Sequence, residues 1–163
     1  VTEGTGKEER IGTEIMPTGL HIKGVVNNNG ASPNFVRIIV VKSNTRQNVT
    51  SGDFFAANTG VGQKITAING LERMYWPIHK TVHNVLYDRV LRLEKNGDFG
   101  KSKLFNKFIK LKGKIKFDGN CTGAEQLTPR YHIVYMTAES EDDTSTGQNV
   151  EVSAMHRFFY KDF

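Results

Sequence analysis

Along most of this chain apolar residues recur at alternate positions, the period of a β-strand with one buried face. "GLHIKGVV" (Gly19–Val26) sets Leu20, Ile22, Gly24 and Val26 against His21, Lys23 and Val25. "NFVRIIVVKS" (Asn34–Ser43) is instead β-branched and almost continuously apolar, which predicts a strand covered on both faces. "TVHNVLYDRVLRL" (Thr81–Leu93) places Val82, Leu86 and Val90 on one side and Val85, Tyr87, Leu91 and Leu93 on the other, as for a strand between a core and an interface. "YHIVYMTA" (Tyr131–Ala138) alternates Tyr131, Ile133 and Tyr135 with His132, Val134 and Met136. "NVEVSAMHRFFYKDF" (Asn149–Phe163) predicts a closing strand whose Val150, Val152, Ala154, His156, Phe158 and Tyr160 share a face. "NGDFGKS" (Asn96–Ser102) is turn chemistry.

Helical periodicity is scarce. Ser51–Gly60 is a candidate short helix, and the stretch from about 44 to 80 predicts a long inter-strand excursion. Six to eight strands with long crossovers predict an all-β fold: a sandwich, a jelly roll or a barrel. The irregular strand spacing favours a single eight-stranded jelly roll, a double Greek-key sandwich. The 163 residues fit one domain without an internal boundary.

Charge sharpens this picture in one place. "NKFIKLKGKIKFDG" (Asn106–Gly119) carries Lys110, Lys112, Lys114 and Lys116 at alternate positions, with Ile109, Leu111, Ile115 and Phe117 between them. As one extended strand, the four lysines would share a face at intervals of about 7 Å. Such a row suits nucleic-acid phosphates, whose neutralisation releases counterions and makes binding salt-dependent. The same row also fits a solvated face, or an acidic neighbour such as the Glu139–Asp143 run of another subunit. The net charge of +5 points the same way, toward an anionic partner. Arg37, Arg89 and Arg92 are secondary basic candidates on the flanking strands.

Aromatic side chains beside cations are the second ingredient of single-strand binding, because bases stack while cations follow the backbone. Three clusters qualify: Arg73, Tyr75, Trp76, His79 and Lys80; Phe105, Lys107 and Phe108; and Arg157 to Lys161. Aromatics at strand positions equally fit a core or a subunit interface. Tyr75, Trp76, Phe158 and Tyr160 are the interface candidates.

Other chemistries find little support. Cys121 is the only cysteine, so no intrachain disulfide forms. His79 and His83 have helical ligand spacing without a helical pattern around them, and the acidic run lacks calcium-loop spacing. No nucleophile–base motif, phosphate loop or cupin-type histidine pair occurs, so neither an enzyme nor a cofactor or metal site is expected. Two glycosylation sequons, at Asn48 and Asn120, are read as chance matches without a secretory leader at Val1–Arg10. No apolar run reaches the ~18 residues of a membrane span.

The ordered set "RIGTEI…LHIKG" (Arg10–Gly24), "VRIIVVKS" (Val36–Ser43), "VLYDRVLRL" (Val85–Leu93) and "RFFYKD" (Arg157–Asp162) resembles the coat proteins of small circular single-stranded-DNA viruses that encode a replication initiator, the circovirus and geminivirus-like group. The resemblance implies a jelly roll that assembles with copies of itself into a small T=1 icosahedral shell around single-stranded DNA. It also implies a virion location, assembly in the host nucleus, and a host receptor as a further partner. The Arg-rich arm usual in that group has no counterpart in "VTEGTGKEER", and Lys42-Ser43 stands where an acidic residue is usual. The rival expectation is a free nucleic-acid-binding β-domain of the OB type.

Overall fold

The computed structural model describes residues 14–43, 54–55, 71–80, 83–117, 126–139 and 149–162. Val1–Arg10, most of the candidate helix, Cys121, both sequons and Glu141, Asp142 and Asp143 lie outside the described residues. The elements are β1 (Glu14–Asn28), β2 (Asn34–Ser43), α1 (Glu72–Tyr75), β3 (His83–Leu93), β4 (Ser102–Lys110), β5 (Ile115–Phe117), β6 (Gln126–Thr128), β7 (Arg130–Glu139) and β8 (Val150–Asp162). They form two antiparallel sheets, an all-β sandwich.

In the first sheet β1 is central. β4 lies along one edge of it and β8 along the other, while β5 continues the β4 side at Glu14–Ile15 and carries β6. In the second sheet β2 is central, between β3 and β7. The core between the sheets takes one face each of β1, β2, β3 and β4. Leu20, Ile22 and Val26 of β1 and Val36, Ile38 and Val40 of β2 meet Leu91, Leu93, Phe105, Ile109 and Leu111. Tyr131, Ile133 and Tyr135 of β7 and Val150, Val152 and Phe158 of β8 pack against its rim.

The continuous apolar run of β2 has the predicted cause. Its other face, Ile39 and Val41, is buried under Phe54, Phe55 and Ile78, with Val134, Met136 and Trp76 beside them. Phe54 and Phe55 meet edge to face at 5.4 Å. β2 is therefore covered on both sides, which is what a strand without polar alternation requires.

Two face assignments change. The β2–β3 register shifts between Val40 and Val41, whose partners are Tyr87 and Val85, leaving Leu86 as the extra residue of a bulge. Leu86 and Tyr87 consequently both pack on the central core. Simple alternation puts them on opposite faces, because it has no way to count the inserted residue.

The lysine run is the second correction, since it is not one strand. Gly113 has φ +101°, a left-handed conformation that interrupts the pleat between β4 and β5. Lys110 ends β4, Lys112 and Lys114 lie in the connecting segment, and Lys116 belongs to β5. Ile109, Leu111, Ile115 and Phe117 are buried as expected, but the four ammonium groups do not form a single row.

Asn28 locks the end of the sandwich. Its buried amide donates to the carbonyls of Ser32 (2.7 Å) and Glu94 (2.9 Å) and accepts from Gly30 N and Asn34 Nδ2, each at 2.9 Å. Four partners satisfy the full capacity of the side chain, so its burial leaves no polar group unpaired.

Candidate nucleic-acid interface

The outward face of the first sheet is built from cross-strand rows, one side chain per strand. Phe108, His21 and Arg157 form one row, and Lys110, Gly19 and Phe159 the next. Asn106, Lys23 and Met155 form a third, and Leu104, Val25 and Ser153 a fourth. Adjacent strands lie about 4.8 Å apart, so each row is a tight triplet.

Gly19 sets the centre of this face. A Cβ there would lie 2.4 Å from Phe108 Cζ, so only a bare backbone lets the Phe108 ring lie over β1. The ring then meets Phe159 at 5.9 Å and His21 at 6.4 Å, both tilted by more than 50°. His21 Nε2 donates to Asn106 Oδ1 at 2.7 Å, which steadies the imidazole beside the ring. Phe108 is 50% exposed and Phe159 37%, so both present their surfaces to solvent. Beside them Leu104 is 84% exposed, and Lys23, Val25, Asn106, Ser153 and Met155 line a depression of about 510 Å³.

The cations of this face are Lys23, Lys110 and Arg157, with Lys161 opposite the exposed Met16 at its end. No Asp or Glu stands among the outward positions of the four rows, and the acids of this face, Glu151 opposite Asn27 and Glu14 opposite Lys116, lie at its two ends. Like charges oppose docking this face on its own copy, whereas a polyanion with stackable bases fits both of its components. Contacts of this kind to a backbone and to base planes would carry no sequence readout.

The predicted residues divide sharply. Lys110 lies on this face, and Lys112 is exposed on the segment that follows. Lys114 and Lys116 each reach Glu14 at 3.1 Å. The hydrogen bond from Lys114, joined by that from Lys116, holds the Glu14 carboxyl below its ordinary value, so half of the lysine run is compensated within the chain. Lys107 points to the other side of the sheet, its ammonium 5.7 Å from the Tyr87 ring centre. Arg89 and Arg92 lie on β3 in the second sheet, Arg92 3.4 Å from Glu94.

Arg37 is not a surface cation. It is 4% exposed, and its Nε and Nη2 donate to the two carboxylate oxygens of Asp88 at 2.8 and 2.6 Å. Its Nη1 donates to the carbonyls of Arg73 and Trp76, both at 2.8 Å. The guanidinium pins α1 onto the sheet because the helix-end carbonyls there need donors. In sequence the residue is only another basic side chain on a strand. Its burial depends on the loop that covers β2.

Among the interface candidates, Tyr75 is 69% exposed on α1, and Trp76 packs beside the cluster under Phe54. Phe158 and Tyr160 face inward, Phe158 lying between Tyr131 and Tyr160 with both ring centres 6.2 Å away. They contribute to interior packing rather than to the outer surface. His83 is a buried strand residue 5.3 Å from the Phe54 ring, and its main-chain N–H donates to the His79 carbonyl at 2.9 Å.

Sequence reasoning found Phe108 and Phe159 in separate clusters and did not single out His21 or Lys23. The signal that unites them is the register of β4 and β8 on β1, which lies in no single stretch of sequence. Among the described residues no three His, Cys, Asp or Glu side chains converge, and no helix is long and apolar enough to cross a membrane. Neither a protein-family model nor a curated protein sequence matches the chain.

Proposed function

We propose that the chain is a shell-forming coat protein, a double Greek-key jelly roll whose copies enclose single-stranded DNA. The order of strand pairing carries this reading. A jelly roll is a long antiparallel hairpin with its first strand beside the eighth, second beside seventh, third beside sixth and fourth beside fifth. Rolling that hairpin into two layers brings the eighth beside the third and the seventh beside the fourth. With β1 to β4, β7 and β8 taken as third to eighth, the pairs β1·β4, β2·β3, β8·β1 and β7·β2 follow the scheme. β5 and β6 are then an excursion between the sixth and seventh strands.

A rigid sandwich of this kind suits lateral packing with copies of itself, and closed symmetry lets many modest contacts add up. In a T=1 shell the cationic aromatic face would turn inward, with Phe108 and Phe159 against bases and Lys23, Lys110, Arg157 and Lys161 against phosphates. The exposed Tyr75, on α1 beside the opposite sheet, is then available for contacts between subunits. The virion is the corresponding location, with assembly in the host nucleus and a host receptor at the outer surface.

The test is electron microscopy and light scattering of the purified protein, with assay of nuclease-protected nucleic acid. Uniform closed particles containing single-stranded DNA are expected. One observation favours a second reading, a free single-strand-binding domain: the aromatic face lies on an uncovered sheet. A stable monomer that binds oligonucleotide without assembling selects that reading.

A further inference from the structure

The two flanks of the sandwich are finished differently. On one flank β3 and β4 approach each other and Lys107 of the first sheet covers Tyr87 of the second. On the other, β7 pairs only with β2 and β8 only with β1 among the described residues. There the inward-facing groups reach water. Ala154 and His156 are exposed although they stand opposite Gly24 and Ile22 of the core face. Tyr135 Oη and His156 Nε2 bond at 2.8 Å across the gap in an exposed position. Tyr131, Ile133, Val150 and Val152 are only half-buried. The Tyr131 hydroxyl is out of water and has no hydrogen-bond partner among the described residues.

We propose that this flank is an acceptor for a donated pair of β-strands, one antiparallel to the outer edge of β7 and one antiparallel to that of β8. The inference rests on the jelly-roll reading. In that scheme the neighbours of the seventh and eighth strands are the second and first, and these are the two positions that no described strand occupies. The chemistry of the donor follows from the acceptor. β7 has ten residues and β8 thirteen, so each edge takes one strand of ordinary or slightly greater length. Inward residues must be apolar to cover Ile133, Val152 and the Tyr131 ring. Outward residues beside Arg157 and Lys161 are best acidic or neutral. Main-chain hydrogen bonds supply the affinity and alternate side chains the selectivity.

The probe is a labelled peptide of Glu14–Asn28 carrying Lys23→Glu, so that its outward face suits the cationic edge; β1 itself already pairs antiparallel with the inner edge of β8 and alternates Leu20, Ile22 and Val26. Hydrogen exchange of the 163-residue chain reads the result. With about 1 mM peptide, edge-facing amides of β7 or β8 are expected to slow about tenfold while those of β1 and β2 stay unchanged. Ala154→Lys, at an exposed inward position, should weaken the peptide's effect about tenfold and leave the chain folded. No slowing overturns the proposal. So do edge amides already as slow as those of β1 in dilute chain alone, and so does slowing that follows chain concentration without peptide, which makes a second copy the occupant. Particle formation is read separately by microscopy. Strand acceptance without particles removes the shell and keeps the acceptor; particles from a chain that accepts no strand do the reverse.

Discussion

The outward faces of the two sheets make opposite use of the same pleat. That of the second sheet carries Ile39, Val41 and Arg37 and is roofed by Phe54, Phe55, α1 and Ile78. That of the first carries Phe108, Phe159, His21 and four cations and, among these residues, both phenylalanines stay open to solvent. One face buries a charge by giving it four bonds; the other leaves large apolar rings exposed. Both arrangements cost free energy unless something offsets it. For Arg37 the offset is inside the chain, in Asp88 and two carbonyls. For Phe108 and Phe159 no described residue covers the exposed ring surface, and under the proposed function nucleic-acid bases would.

The largest effect should come from the roofed face. Arg37→Met strands the Asp88 carboxylate and two carbonyls, and should cost about 3–5 kcal/mol in chemical denaturation. Fluorescence of Trp76, the only tryptophan, should report release of α1 at lower denaturant. An unchanged midpoint would remove the pin and with it the contrast between the faces.

Next is the open face. Phe108→Ala with Phe159→Ala should weaken single-stranded oligonucleotide binding by about 1–3 kcal/mol for each stacked base, with a much smaller shift in melting temperature. If melting falls first, the rings belong to the core. Replacing Lys23, Lys110, Arg157 and Lys161 by Gln should lower the salt slope of binding by about 0.7 for each phosphate that is no longer neutralised, without sequence preference. An unaltered slope would place the phosphates elsewhere, with the exposed Lys112 the first alternative.

The smallest effect concerns Glu14. Its carboxyl is held below the ordinary value of 4.5 by Lys114 and Lys116, so the folded state binds its proton less readily than the unfolded chain. The contribution is fully present above that ordinary value and is lost as pH falls through the lowered one. Glu14→Gln should lower stability slightly at neutral pH, leave it unchanged at pH below the lowered value, and so flatten the acid limb of a stability–pH profile. A steeper acid limb in the variant would reverse the assignment.

Strand positions were legible from the order of apolar and polar residues, because alternation and β-branched runs are local. Asn34–Ser43 matches β2 at both ends, and its double burial follows from having no polar face. The bulge at Leu86 and the break at Gly113 were not legible as such. A glycine permits a left-handed turn without requiring one, and an inserted residue leaves no mark in an alternating pattern. The fates of Arg37 and Lys110 differ for the same reason. Both are basic residues on strands, and only the neighbours across the sheet distinguish them.

By itself, then, the sequence determined that this chain makes β-strands, where most of them lie, and that positive charge is concentrated between Phe99 and Phe117, which hold seven lysines and no Asp or Glu. Hydrophobic period and residue shape act over a few positions, so they survive without tertiary context. The tertiary structure alone decided which cations are neutralised internally and which remain. Register brings Phe108 beside Phe159 across the bare backbone of Gly19, and topology leaves β7 and β8 at an open flank. Those outcomes depend on pairings between residues dozens of positions apart, which are settled by the packing of the whole sandwich rather than by any single segment.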